Sequence, residues 1–179
     1  MSIEFNTEKT YFNLNLGTGY LQCKYNGISK DVKSVSGNLI KVSKETYQFE
    51  DEFIDKLTLH LVEDEQEYII SFGYISNIAR STLNMLASLP LNPSSLLMKI
   101  ITYRKENFIK IVILNDNNKL SWKYAPSEIP DSGKDLFFEK ILAEIQTKIK
   151  LFAEVEMLER SMSVQDVAPV EAKDDILPF

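Results

Sequence analysis

KLTLHLVEDEQEYIISFGYISNIARSTLNMLASLP, Lys56 to Pro90, changes its hydrophobic period once, and the change decides the fold class. Leu57, Leu59 and Leu61 alternate with Thr58, His60 and Val62, the two-residue period of a strand with one face buried. An acidic turn, Glu63 to Glu67, leads into a second strand, Tyr68 to Phe72, and Gly73 ends it. From Tyr74 to Leu89 the period becomes helical, with Ile75, Ile78, Ala79, Leu83 and Leu86 on one stripe, until Pro90 and Pro93 stop it.

Working outward, Thr10 to Leu16 alternates as a strand, with Phe12, Leu14 and Leu16 facing in. Gly17 and Gly19 turn it into a second strand, Tyr20 to Tyr25, with Leu21, Cys23 and Tyr25 inward. The Ser-, Lys- and Gly-rich stretch Asn26 to Lys44 reads as a long, mobile, basic hairpin. After the helix come strand candidates Leu96 to Arg104, Phe108 to Leu114 and Leu120 to Tyr124, joined by short polar turns. Ser132 and Asp135 approximate a capping box before a helix running to about Arg160, with Phe138, Ile141, Leu142, Ile145, Ile149 and Phe152 on one face. Ser161 to Lys173 has few large apolar residues and reads as a disordered linker.

Strands, one internal helix and more strands suit a mainly β fold: an OB-fold-like antiparallel barrel, plugged at one end by the internal helix, with a long C-terminal helix and a disordered acidic tail. The expected divisions are a barrel over 1–126, a helical extension over 127–160 and a tail over 161–179.

The 179 residues are 44% hydrophobic and 26% charged, a globular composition with no apolar run long enough to cross a membrane. The first ten residues lack the basic-then-apolar order of a secretory signal, and Cys23 is the single cysteine, so a reducing cytoplasm is the expected compartment. The net charge of −6 is segregated. Residues 45–67 carry −8 and residues 161–179 carry −3, which leaves +5 on the remainder. A mildly basic body permits a cationic groove.

Binding of single strands needs cations that follow phosphates and flat rings on which bases stack. The outward phases of the strands offer Tyr11, Tyr20 and Lys24 at the N-terminal end, and Lys99, Tyr103, Phe108 and Lys110 in the later hairpin, with Arg104 at its turn. Lys33 and Lys41 in the basic hairpin, beside Lys30 and Lys44, complete the candidate phosphate contacts. Trp122 and Tyr124 share the phase of Leu120 and are expected in the core.

The last six residues, Asp174, Asp175, Ile176, Leu177, Pro178 and Phe179, form a recognition tip: a ring for an apolar socket, a carboxylate for Arg or Lys, two aspartates for a basic rim and a proline that limits the entropy lost on docking. This ending resembles the partner-recruiting tip of bacterial and phage single-stranded DNA-binding proteins, where an acidic run closes in Ile-Pro-Phe or Leu-Pro-Phe; here both Ile176 and Leu177 precede Pro178. The resemblance implies an OB-fold barrel that coats single-stranded DNA in replication, recombination and repair, and a tail that recruits replication and recombination proteins. Its members are often dimers or tetramers, which makes a homo-oligomer an expectation here. The segment Ser132 to Arg160 departs from the usual bacterial arrangement and looks more like a phage-encoded version, placed then in the host cytoplasm.

Catalysis draws no support. Glu63, Asp64, Glu65 and Glu67 raise a metal-dependent nuclease, yet they occupy a tight turn without a glycine and read as solvated. His60 alternates opposite Leu59 and Leu61 as an exposed strand residue with no nucleophile motif, and Cys23 follows the inward phase of Leu21. No cofactor or metal is expected. The competing expectation is an adaptor that binds a replication partner through the tip and never touches DNA.

Overall fold

The computed structural model describes residues 8–165. The tip, Asp174 to Phe179, lies outside them, as does the acidic tail from residue 166 onward. Six strands precede the first helix: β1 Glu8–Leu14, β2 Leu21–Tyr25, β3 Ile28–Val32, β4 Ser34–Phe49, β5 Glu52–Glu63 and β6 Gln66–Gly73. Helix α1 is Asn77–Ala87; β7 Leu97–Lys105, β8 Phe108–Asn115 and the two-residue β9 Asn118–Lys119 follow, and α2 is Lys134–Gln165. The chain is mainly β, as its alternation predicts, and the strands form one sheet in the order β3-β2-β1-β6-β5-β4-β7-β8-β9. No ladder joins β3 to β9 among the described residues, so the order is that of an open sheet. All pairings are antiparallel except β1 with β6, which run parallel from Glu8 beside Gln66 to Asn13 beside Ser71.

β4 organises the sheet. Its first five residues pair with β7, Ser34 beside Ile101 to Asn38 beside Leu97, and the rest pairs with β5 out to Phe49 beside Glu52. Asn38 pairs on both sides, with Leu97 and Val62, and just beyond it the β5 ladder is irregular between Leu39 and Lys41, where Ile40 is the extra residue. A bulge bends and twists its strand, which lets one strand serve two parts of a curved sheet. Gly37 sits at this bend because a Cβ there would meet Leu61 Cβ and Val62 O at 3.1 Å.

The core lies on the helix side of the sheet. Phe12, Leu39, Val42, Leu57, Leu59, Leu61, Ile70, Phe72, Met98, Ile100 and Ile113 close on Ala79, Leu83 and Leu86 of α1 and on Phe138, Ile141, Leu142, Ile145 and Ile149 of α2. Ser76 caps α1, its Oγ accepting from the Ala79 N–H. At the other end of α1 the Lys148 ammonium, whose side chain is 5% exposed, donates to the carbonyls of Ala87 and Leu89 at 2.8 and 2.6 Å and pairs with Glu144 at 2.8 Å. A cation at a helix C-terminus answers the carbonyls that the helix leaves without partners.

Several boundaries differ from the sequence expectation, each for a local reason. The Asn26–Lys44 stretch is β3 and the first part of β4 rather than a mobile hairpin, because the ladders to β2 and β7 satisfy its backbone. Leu16 is 72% exposed, since β1 ends at Leu14 and a turn follows, and Tyr25, at the end of an edge hairpin, is 71% exposed. Ile75 lies before the Ser76 cap and outside the helical stripe. Leu120 to Tyr124 forms no strand: buried Asn84 of α1 donates to the Tyr124 carbonyl and accepts from its N–H, replacing a ladder with one side chain. Trp122 is consequently half-exposed at 52%, not in the core. Ser161 to Gln165, expected to begin the disordered linker, continues α2.

Candidate nucleic-acid interface

Register assigns the expected binding residues to a face. Tyr11 pairs with Ile69 and, one step beyond the Phe12–Cys23 pair, shares the phase of Lys24; Lys41 lies opposite His60 on β5, and His60 lies opposite Ile69 on β6. On the other wing, Lys99 is opposite Ser36 and Tyr103 is opposite Lys110, with Phe108 two residues before Lys110. Since side chains alternate along every strand, Tyr11, Lys24, Lys41, Lys99, Tyr103, Phe108 and Lys110 all belong to the sheet face opposite the helices. Tyr11 is 57% and Phe108 70% exposed, and the lysines of this set are exposed. Tyr20 and Tyr103 are half-buried, and exposed Lys33 sits in the β3–β4 connection. Among the described residues, Lys24, Lys33, Lys99 and Lys110 have no carboxylate within salt-bridge distance, while Lys41 pairs with Glu45 at 3.8 Å.

Arg104 is placed differently. It faces the seam where the β1–β2 turn meets the end of β7, its Nη1 donating to the carbonyls of Gly17 (3.0 Å) and Leu16 (3.4 Å) and its Nε to that of Glu106 (3.1 Å). These bonds hold the turn and occupy Nε and Nη1 of the guanidinium. Gly19 makes the approach possible: at φ +78° a Cβ would lie 2.6 Å from Arg104 N. Tyr20 follows Gly19 and Tyr103 precedes Arg104 in the chain, so the backbone of both residues is anchored next to this contact. Gly19→Ala should therefore lower the midpoint of thermal unfolding and weaken any binding at this wing; the left-handed backbone alone costs about 1–2 kcal/mol for an L side chain, before the clash with backbone is counted. Circular dichroism melts of the two proteins measure it, and an unchanged midpoint would contradict the assigned contact.

The middle of the face is a charge network that the sequence does not disclose. His60 is only 12% exposed, not the exposed strand residue expected from its alternation, because β5 lies at the sheet's centre. Its Nδ1–H donates to Glu67 at 2.5 Å, and its Nε2 lies 3.6 Å from Glu45. Lys9 approaches Glu67 at 3.5 Å, and the Tyr47 and Ser43 hydroxyls donate to Glu45 at 2.7 and 3.0 Å. Glu67 is thus buried and paired, and leaves the acidic turn to Glu63, Asp64 and Glu65. The His60 hydrogen bond, more than opposing burial, holds the Glu67 carboxyl below its ordinary value. A depressed carboxyl contributes stability that is full above its unfolded-state range and lost as pH falls through its folded-state value. Acid titrations of stability should therefore show a loss below the ordinary glutamate range that Glu67→Gln removes; an identical acid limb in both proteins would refute the linkage.

Residues that periodicity missed stand on the β4–β5 hairpin. Tyr47, Phe49, Phe53 and Ile54 are exposed at 41, 65, 74 and 38%, around the turn Glu50–Asp51. The available signal was two phenylalanines flanking an acidic turn, which charge counting hides. A groove of about 460 Å³, lined by Tyr11, Asn13, Gln22, Lys24 and Tyr25, runs beside β1 and β2. Among the described residues, no group of three or more potential ligands could hold a metal ion, and no helix is long and apolar enough to cross a membrane.

No protein-family model, no curated protein and no solved structure matches this chain.

Proposed function

We propose that the protein binds single-stranded DNA without reading its sequence, across the sheet face opposite the helices, and recruits replication and recombination proteins through Asp174–Phe179. The observation that carries this reading is the register, which brings Tyr11, Tyr103 and Phe108 to the same face as Lys24, Lys99 and Lys110. Rings give stacking surfaces and lysines follow phosphates, and nothing in the set selects a base. The order β4-β5-β6-α1-β7-β8, with β4 shared by β5 and β7, supports the finer reading of this part as OB-type, a fold whose sheet face binds oligonucleotides. The protein acts by coverage and not by catalysis.

Titration of Trp122 fluorescence with oligothymidine at several salt concentrations tests the reading. Binding should weaken as salt rises, and replacing Lys24, Lys99 and Lys110 by alanine should reduce the log–log salt slope by about 0.7 for each phosphate deprived of its lysine. Absence of binding at low salt, in the full chain and in a chain lacking residues 161–179, would overturn it. Loss of DNA binding on removing Phe179 alone would favour the adaptor reading.

A further inference from the structure

A cavity of about 390 Å³ opens between α1, α2 and the connection from β9 to α2, on the side of the sheet that the helices cover. It shares no residue with the sheet face described above. One side of α1 lines it with polar groups, Asn77, Arg80, Ser81 and Asn84, the i, i+3, i+4 and i+7 positions that a helix brings together. The connection adds Trp122. This wall is fixed by the chain itself: the Asn84 amide donates to the Tyr124 carbonyl and accepts from the Tyr124 N–H, each at 2.9 Å, and the Lys123 N–H donates to the Asn84 carbonyl at 3.2 Å. Glu128 accepts from the Ala125 N–H at 2.6 Å and closes the next turn. The single tryptophan of the chain is thereby held half-exposed at a cavity instead of entering the core. Arg80 is engaged, donating to Asp135 at 3.1 Å and lying over the Phe138 ring. Lys134 of α2, half-buried at the same cavity, has no carboxylate within salt-bridge distance among the described residues, and among them the Asn77 amide and the Ser81 hydroxyl make no hydrogen bond.

We propose that this cavity binds a single nucleotide, its base against Trp122 and its phosphate on Lys134. A large ring fixed at the wall of a cavity offers a stacking surface. The amide of Asn77 and the hydroxyl of Ser81 call for a ligand edge with donors and acceptors, which a heterocyclic base carries and a hydrocarbon ring lacks. An ammonium half out of water and without a carboxylate calls for one anionic group. The volume lies near the lower end of the roughly 300–1,000 Å³ of small-ligand sites, room for one nucleotide and not for two. A free nucleotide and the phosphorylated 5′ end of a strand offer this same chemistry. The site does not rest on DNA binding by the sheet face, because α1, α2 and the connection alone build it.

Calorimetric titration of the full chain with each of the four deoxynucleoside 5′-monophosphates tests the site. At least one should bind and change Trp122 fluorescence. Trp122→Ala should weaken that binding about thirtyfold, the loss of one stacked base. Lys134→Ala should weaken it about tenfold, yet leave the affinity for the matching nucleoside, which has no phosphate, unchanged. That comparison stands by itself if Trp122→Ala unfolds. Replacing Lys24, Lys99 and Lys110 by alanine should leave mononucleotide binding as it is, so failure of the sheet-face reading and failure of this one give different results. Competition separates the two sources of the ligand. An oligonucleotide that carries the bound nucleotide at its phosphorylated 5′ end and displaces it identifies a strand end; a mononucleotide that stays bound when that oligonucleotide is saturating identifies the free ligand. Failure of all four to bind at millimolar concentration overturns the proposal. So does binding that survives Lys134→Ala undiminished, or a nucleoside that loses affinity as much as its nucleotide does.

Discussion

Replacing Lys148 by methionine is expected to destabilise the protein by about 3 kcal/mol, the order of leaving two buried carbonyls without their donor. The ammonium makes three short contacts at once, to Ala87 O, Leu89 O and Glu144. Methionine fills similar space and donates nothing, so two carbonyls at the end of α1 stay buried without partners. Glu144 keeps its bond from Lys123 at 2.6 Å. Burial pushes the Glu144 carboxyl up, but the hydrogen bonds from Lys123 and Lys148 outweigh it, and it sits below its ordinary value. The loss should appear as a fall of roughly 6–12 °C in the unfolding midpoint for a chain of this size. Lys150→Met is the control: its side chain is 79% exposed, and its pair with Glu154 at 3.9 Å should contribute almost nothing. Equal melts for the two variants would refute the assigned role of Lys148.

The second large effect is on binding. Tyr11→Ala with Tyr103→Ala should weaken oligothymidine binding on the order of a thousandfold, taking about 2 kcal/mol for each stacked base and additive losses at two separated sites. The rings occupy opposite wings, one on β1 and one on β7, and each lies beside an exposed lysine of the same face, Lys24 and Lys110. Because stacking carries no charge, the salt slope should stay as in the unmodified protein while the curve shifts as a whole. That separates the rings from the lysines, whose removal changes the slope. Unchanged affinity in the double variant, with the fold intact, would move the site elsewhere, and the exposed Phe49 and Phe53 of the β4–β5 hairpin would be the next rings to replace.

How much of this was legible in the sequence depends on what each residue touches. The alternation of Leu57, Leu59 and Leu61 and the helical period after Gly73 report burial directly, and β5, β6 and α1 follow from them. The faces of Tyr11, Lys24, Lys99 and Lys110 were legible for the same reason, since outward phase is the complement of inward phase. The length of β4 was hidden because its first residues, Ser34 to Asn38, set serine, glycine and asparagine around a single valine, and only the ladder to β7, from Leu97 to Ile101, makes them a strand. The His60 network depends on lateral position in the sheet, which periodicity does not encode. Lys148 left one trace, a cation among Ile145, Ile149 and Phe152 on a core-facing stripe. What Arg104 holds was hidden, because nothing local shows that Gly17 and Leu16 come to meet it.

The parallel pairing of β1 with β6 has a consequence for how the chain reaches this state. During synthesis β1, β2 and β3 emerge first, but the strand that receives them closes only after Gln66 to Gly73 has appeared and paired with β5. Until then the N-terminal meander is a sheet fragment with one edge waiting, and contacts this far apart in sequence form slowly. The β4–β5–β6 meander, built from neighbours, is the natural first structure, and β1 adds to its rim afterwards. Crowding or overexpression should therefore penalise this chain at the moment before β1 docks, when two unpaired strand edges are exposed to other nascent copies.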